Sequence, residues 1–557
     1  MSYKMKIEKD VYVPMRDGVK LCVDIFRPDT DEKLPALLAI SSYGKNIQRQ
    51  YLPQPVPSPF GDACIEAGMS DWLVERGYAH IIADTRGIGD SEGTYYSMYS
   101  EQESLDGYDL VEWIAQQPWC DGQVGMIGIS YFGTIQLVVA SSCPPHLKAI
   151  APLEATQDQY LACYHGGVMD AFYSELYTGR HSFLSWSGFA NKDVQSKSKK
   201  DLSPKEYQRR LQRALNDPDI TQYNLLFSVL NYPNKNPVFH DIMINPYDDK
   251  GEMYWWNPKL ENIKIPVLCG CNWYPDCGPK FVRDPFFIYD RVQGPKKLYM
   301  FQPGWMLRPF SEHHALILDW YDYWFKGIQN GAMDGDPIHL YIMGENKVRS
   351  EKEWPMARTR WTNFYLRPHH RLSTQPEIFK DVPPDGYVQE PLLVTQSVSK
   401  LEYSTGALNE ELEISGPISL YLYAAIDQDD SMFKVSIFDV DGATGKSREV
   451  THGHLKLSHR ALDKERSKPY QPIHDHREEA CKKVVPGEIN EYHIEFYPFA
   501  NVFKRGHEIK LEICSADVPG VSFSYHVLSH KTVSYKIYRD ADYPSRLYLP
   551  VIPPKKR

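Results

Sequence analysis

Short apolar runs recur through the first third of the chain, with amphipathic stretches between them. Residues 34–40 (Leu-Pro-Ala-Leu-Leu-Ala-Ile) and 78–83 (Tyr-Ala-His-Ile-Ile-Ala) are dominated by apolar side chains, as expected of strands covered on both faces. Ahead of them, residues 11–15 and 20–26 read as a hairpin around the turn signal Arg16-Asp17-Gly18. Residues 69–76 predict a helix stopped by Gly77, and residues 104–117 set Leu105, Leu110, Trp113 and Ile114 on one helical face. A strand leading to residue 127, a helix ending before Pro144-Pro145 and a strand over 147–152 complete the run. This βαβ alternation predicts a parallel sheet with helices on both faces.

The rhythm breaks between residues 155 and 245, which are polar, rich in Tyr, Gln, Lys and Arg, and helical in stretches such as 204–215. An insertion capping the sheet is the natural reading. Strand signals return at 265–270 and 297–301, followed by an amphipathic helix over 311–326. Beyond residue 336 the class changes. Alternating strands at 418–423, 433–438, 492–496, 508–513 and 532–537 are separated by turn-rich segments, which predicts a β-sandwich of the jelly-roll kind. The expected division is an α/β core from 1–154 and 246–335, a helical cap over 155–245 and the sandwich over 336–557.

Bulk properties narrow the class of function. A chain of 557 residues needs more than one core. Its net charge of -10 argues against nucleic acid or an anionic membrane as partner. No segment reads as a secretory leader or as a membrane span, so a cytoplasmic protein is expected. The 10 cysteines are scattered. Cys269, Cys271 and Cys277 lie close in sequence, but the first two flank one residue of a buried strand and do not form a zinc-type ligand pair. Neither a metal nor a cofactor is expected.

The candidate chemistry sits at residues 124–133, Val-Gly-Met-Ile-Gly-Ile-Ser-Tyr-Phe-Gly. An apolar strand turns sharply, presents Ser130 and enters a helix, which is how an α/β-hydrolase raises a nucleophilic hydroxyl above its sheet. Gly128 suits a turn too tight for a side chain. The spacing is looser than Gly-x-Ser-x-Gly, with Phe132 where the second glycine would stand.

With these residues in place, the chain resembles the cocaine-esterase-like (CocE/NonD) hydrolases, related to the Xaa-Pro dipeptidyl peptidases. The resemblance rests on motifs in order along nearly the whole chain: residues 13–18, Ser42-Tyr43-Gly44-Lys45, residues 84–93, Glu112-Trp113, residues 117–125 leading into the elbow, residues 164–167, 320–327, 458–463 and 486–488. It implies an α/β-hydrolase core, a helical cap and a C-terminal jelly-roll domain. It also implies roles. Ser130 is the nucleophile, the backbone N–H of Tyr131 and the phenol of Tyr43 are the oxyanion donors, and Asp276, one position later than the family's Gly-Trp-Tyr-Asp pattern, is the acid. Asp284 is a weaker candidate for the acid.

The histidine is out of place. The family carries it in the loop after the strand at 297–301, but here residues 302–310 read Gln-Pro-Gly-Trp-Met-Leu-Arg-Pro-Phe. His313 and His314 follow, at the start of a helix, and are the candidate bases. His165, Phe132, Trp273, Trp305 and Met306 are candidate pocket residues. Three functions follow. The first is a serine hydrolase acting on a small ester, amide or acyl compound through Ser130. The second is a repurposed enzyme of the same fold, catalysing a cyclisation, rearrangement or elimination on a hydrophobic metabolite. The third is a non-catalytic small-molecule binder. The expected partner is a small-molecule substrate, and the sandwich offers a surface for a homodimer or higher homo-oligomer.

Overall fold

The computed structural model describes residues 3–49, 65–169, 192–221, 224–234, 236–250, 254–273, 280–304, 310–516 and 530–554. Asp276, Trp305 and Met306 lie outside the described residues.

Ten strands form the first sheet: β1 (Met5–Pro14), β2 (Lys20–Pro28), β3 (Leu34–Ser41), β4 (Ala79–Asp84), β5 (Cys120–Met126), β6 (Leu147–Ile150), β7 (Val267–Asn272), β8 (Lys296–Phe301), β9 (Ile338–Ile342) and β10 (Lys347–Glu351). Their spatial order is β1-β2-β4-β3-β5-β6-β7-β8-β9-β10. From β4 through β3 to β9 every neighbouring pair is parallel, while β1, β2 and β10 pair antiparallel. This is the expected α/β-hydrolase core. Every residue of β4 is buried, and all but the first of β3, because helices cover both faces and leave no polar side to the strand.

Helix α1 (Ser70–Glu75), α2 (Glu101–Ala115) and α3 (Tyr131–Ala140) position the site. Sequence periodicity starts α2 at residue 104, whereas the helix begins at 101. The earlier start comes from a capping box, in which the Ser100 side chain accepts the Glu103 N–H and the Glu103 carboxylate accepts the Ser100 N–H. All ten residues of α3 are buried, so this helix is held by packing on every side.

The described part of 155–245 is mainly helical, with Pro204–Leu215, Asn224–Asn231 and Pro237–Ile244 as its longer helices. Two strands of the first sheet, β9 and β10, come from beyond residue 335, where the sequence places the start of the C-terminal domain. The alternating burial of β9 resembles that of a half-exposed antiparallel strand, yet β9 pairs in parallel with β8. The rest of the C-terminal part is rich in strands. Leu412–Ile426 pairs with Asn490–Phe503, Val533–Tyr538 and Arg546–Ile552 within an 11-stranded sheet.

A histidine seam joins the cap, and Tyr247 just after it, to the C-terminal domain. Tyr247 stacks on His459 at 5.6 Å and Tyr160 lies 5.2 Å from His476, with His459 Nδ1 and His476 Nδ1 3.0 Å apart. Burial first, then neighbouring cations and imidazoles, push His474 and His476 down to about 3, and His459 also falls well below the usual value. These rings are neutral when folded. The unfolded chain therefore binds more protons below the ordinary histidine range, and the seam loses stability as pH falls from about 6.5. The protection of amides in residues 452–459 and 474–476, taken relative to their intrinsic exchange at each pH, is expected to fall between about pH 7 and pH 5, and unchanged protection there would contradict the neutral seam.

Candidate active site

Ser130 stands between β5 and α3 with φ 59° and ψ -114°, a combination sparsely populated for a residue with a side chain. Such backbone strain costs about 1–3 kcal/mol and persists only where the surroundings over-determine it. Here they do. The Ser130 N–H donates to Leu153 O at 3.2 Å, Thr134 N–H donates back to Ser130 O at 2.8 Å, and Ile129 N–H donates to Glu66 O at 3.2 Å. The fully buried Gln136 side chain stitches the turn to β6: Nε2 donates to Gly128 O and Phe132 O at 3.0 and 3.1 Å, and Oε1 accepts Ala151 N–H at 2.8 Å.

The same geometry explains the unusual glycine spacing. Gly128 has φ 126°, and a Cβ there would lie 2.3 Å from Phe132 Cβ. Phe132 is thus the residue packed over the turn, 1% exposed, with its ring 6.3 Å from that of Tyr43. The close backbone approach falls one residue later, where a Cβ on Gly133 would lie 2.2 Å from Leu153 O.

Tyr131 opens α3, so its backbone N–H is one of the donors a helix start leaves without an intrahelical acceptor. Its ring is fully buried, 5.5 Å from Tyr43 and 4.6 Å from Tyr99. Tyr43 follows β3 in a short tethered loop: its N–H donates to Ser41 Oγ at 3.1 Å, and Lys45 N–H donates to Asp84 Oδ1 at 2.6 Å. The Lys45 ammonium, wholly buried, reaches Asp10 at 2.6 Å, Asp24 at 3.1 Å and Asp90 at 3.5 Å. Asp10, Cys22 and Asp90 have ligand atoms within 4.8 Å of one another, and this ammonium already places a cation among the carboxylates.

The other candidate residues are dispersed. His313 stacks on Phe301 at 4.0 Å, with Nε2 3.4 Å from Glu312, and burial pushes it down to about 4. His314 packs on Trp72 of α1 at 4.7 Å and on Phe310 at 5.4 Å. The Phe310 ring lies 3.4 Å from the Cβ position of Gly68, which Ile127 also borders at 3.6 Å. His165 lies at the cap's contact with the C-terminal domain, where Nδ1 hydrogen-bonds the Tyr497 hydroxyl. Trp273 is fully buried, donates its indole N–H to Tyr341 O at 2.6 Å and stacks on Phe286 at 6.0 Å, so it packs the core at the end of β7. Asp284 is held in a network of its own. Its carboxylate accepts Thr156 Oγ1 at 2.5 Å and Gln157 N–H at 2.9 Å, and it pairs with Arg283, which also reaches Glu495 of the C-terminal domain. Periodicity and motif spacing gave no hint of this network or of Glu103 behind Tyr131. The capping-box pattern at Ser100 and Glu103 was the one available signal.

Comparison with known proteins fits this geometry. The profile of the X-Pro dipeptidyl-peptidase (S15 family) matches residues 17–304, and that of the X-Pro dipeptidyl-peptidase C-terminal non-catalytic domain matches residues 330–548. The chain belongs to the X-Pro dipeptidyl-peptidase S15 family, a family of hydrolases. It is 26% identical to a cocaine esterase of Rhodococcus sp. (strain MB1 Bresler), over 98% of each chain. Its fold is shared with a CocE/NonD family hydrolase from Staphylococcus aureus, with a TM-score of 0.74 at 23% identity over 98% of this chain and 94% of that one. It is also shared with an aminopeptidase from the marine sediment archaeon Thaumarchaeota archaeon, with a TM-score of 0.70 at 18% identity over 99% and 97%.

Proposed function

We propose that the protein is a serine hydrolase that cleaves a small ester, amide or related acyl compound by forming an acyl-enzyme on Ser130. The observation that carries this reading is the strained Ser130 turn at the start of α3. It lifts one hydroxyl above the parallel strands and sets the Tyr131 N–H beside it. In the proposed reaction Ser130 Oγ attacks the acyl carbon, and the developing oxyanion takes hydrogen bonds from Tyr131 N–H and the Tyr43 phenol. Each such donor supplies about 3 kcal/mol of transition-state stabilisation. The leaving group departs with a proton, and water releases the acid and restores Ser130.

A serine hydroxyl needs a base to take its proton. We assign the base to His314: it packs on Phe310, whose ring borders Gly68 together with Ile127, whereas His313 is turned to Phe301 and Glu312. The acid is assigned to Asp276.

The loop 302–310, without histidine, favours a second reading: an enzyme of this fold that binds a hydrophobic metabolite in a drier site and catalyses a non-hydrolytic step. A fluorophosphonate probe separates the two. The hydrolase reading expects one label per chain, mapped to Ser130. Folded protein that takes up no label would exclude it.

A further inference from the structure

Behind the oxyanion donor lies a buried carboxylate that the hydrolytic step leaves unused. Glu103, in the first turn of α2, is 5% exposed. Its Oε1 accepts the Tyr131 hydroxyl at 2.5 Å, and its Oε2 accepts the Ser100 N–H at 3.0 Å and approaches Ser100 Oγ at 3.5 Å. Tyr131 OH also meets Tyr95 OH at 3.1 Å. Both oxygens of Glu103 therefore face donors, an arrangement suited to the ionised acid, which only accepts.

Tyr131 is also the residue that follows the strained serine. Its ring is fixed along its edges by Tyr43 and Tyr99 and at its tip by Glu103. Fixing the ring limits rotation at the Tyr131 Cα, and so holds the peptide N–H that joins it to Ser130. The hydrogen bond to Glu103 is charge-assisted, hence stronger than a neutral one, and it ties the turn to a different helix.

We propose that Glu103 is a positioning residue for the hydrolytic site: ionised, it anchors Tyr131 so that its backbone N–H faces the developing oxyanion and Ser130 keeps its strained turn, and protonated, it weakens that anchor. This inference rests on the roles assigned above to Ser130 and Tyr131.

A proton added to this carboxylate removes the charge from the bond. On Oε1 it makes the Tyr131 hydroxyl an acceptor, which must then give its own proton to the Tyr95 hydroxyl 3.1 Å away, leaving a weaker neutral bond, and on Oε2 it opposes the Ser100 N–H. Burial pushes the Glu103 carboxyl up to about 7, with the Tyr131 and Ser100 donors pulling it down and Asp106 pushing it further up. The neighbouring groups do not share that titration range or are paired. The phenols of Tyr131, Tyr95 and Tyr99 are all raised, by burial first and by the Glu103 charge as well, so they stay neutral. Asp106 is paired with Arg86 at 2.7 Å. Activity should therefore fall on the acid side of neutrality through this carboxyl group as well as through the imidazole base.

Two readouts test this together: the fluorine signal of 3-fluorotyrosine placed at position 131, and the rate of fluorophosphonate labelling at Ser130, each followed from about pH 5 to pH 9. The native protein is expected to show a fluorine inflection near pH 7. Its labelling rate should fall about tenfold across that inflection, part of the hundredfold or more that complete loss of an oxyanion donor costs. Glu103→Gln does not titrate and should lose the fluorine inflection and the part of the labelling inflection that follows it, leaving that of the His314 base. If that variant does not fold, Tyr131→Phe carries the same test, because removing the phenol should remove the same part of the labelling profile. A native fluorine signal without an inflection, or a labelling profile whose depth and midpoint are unchanged in both variants, overturns the proposal. Labelling that shows no inflection while the fluorine signal does also overturns it, and leaves the hydrolytic reading standing. No labelling at any pH overturns the hydrolytic reading and this proposal with it.

Discussion

Ser130→Ala is expected to lower ester turnover by up to about a millionfold, the scale seen when a serine hydrolase loses its nucleophile, with little change in melting temperature. The hydroxyl supplies the covalent route, and what survives its removal is binding and oxyanion stabilisation. Folding should be nearly indifferent, because alanine and serine bear the same steric cost at φ 59°. Ser130→Gly sharpens the test. It should be equally inactive, yet more stable by roughly 1 kcal/mol, because glycine relieves positive-φ strain. Turnover of the natural compound that is unaffected in Ser130→Ala would point to the non-hydrolytic reading.

The second large effect falls on stability. Gly133→Ala should destabilise the protein by more than about 3 kcal/mol, in the range of severe core disruptions, as read by chemical denaturation. The added Cβ would lie 2.2 Å from Leu153 O and 3.2 Å from Leu153 C. Both are backbone atoms, so no side-chain rotation relieves the overlap. Leu153 O is also the acceptor for Ser130 N–H, so relief by moving α3 would break the hydrogen bond that seats the serine. Gly122→Ala is the control: φ there is 90° but the Cβ would meet nothing within 4 Å, and the cost should stay near 1 kcal/mol, roughly the glycine-conformation penalty alone. Equal losses in the two variants would mean that α3 and the segment following β6 do not touch in this way.

Much of the first sheet was legible because two-sided burial writes itself as unbroken apolar runs, as in β3 and β4. The Ser130 turn was legible for a related reason: a strand, a tight glycine and a buried helix follow one another within ten residues. The looser glycine spacing looked like a departure and is a consequence of packing, since Gly133, and not residue 132, faces Leu153. What periodicity could not show was partnership between distant polar residues. Glu103 falls just ahead of the helix that periodicity predicts, and nothing in its neighbours along the chain announces Tyr131, 28 positions away. Asp284 was the weaker candidate for the acid, and it faces Thr156 while the neighbouring Arg283 reaches Glu495. β9 was not read as a strand; it lay within the residues given to the C-terminal domain, and only its parallel pairing with the edge of β8 draws it into the first sheet.

That choice of edge has a consequence for handling the protein. The hydrolase half does not end where its profile match ends at residue 304. Its sheet closes only with strands drawn from residues 338–351, after the helix His314–Lys326 has crossed back. An expression fragment cut at residue 335 would leave β8 with a bare row of N–H and C=O groups, an open invitation to strand addition and aggregation. A fragment begun at 336 would carry an orphan hairpin. Domain exchange with relatives therefore has its usable junction after residue 351, in the stretch leading to Arg360–Arg367, where the chain has finished one sheet and not yet entered the next.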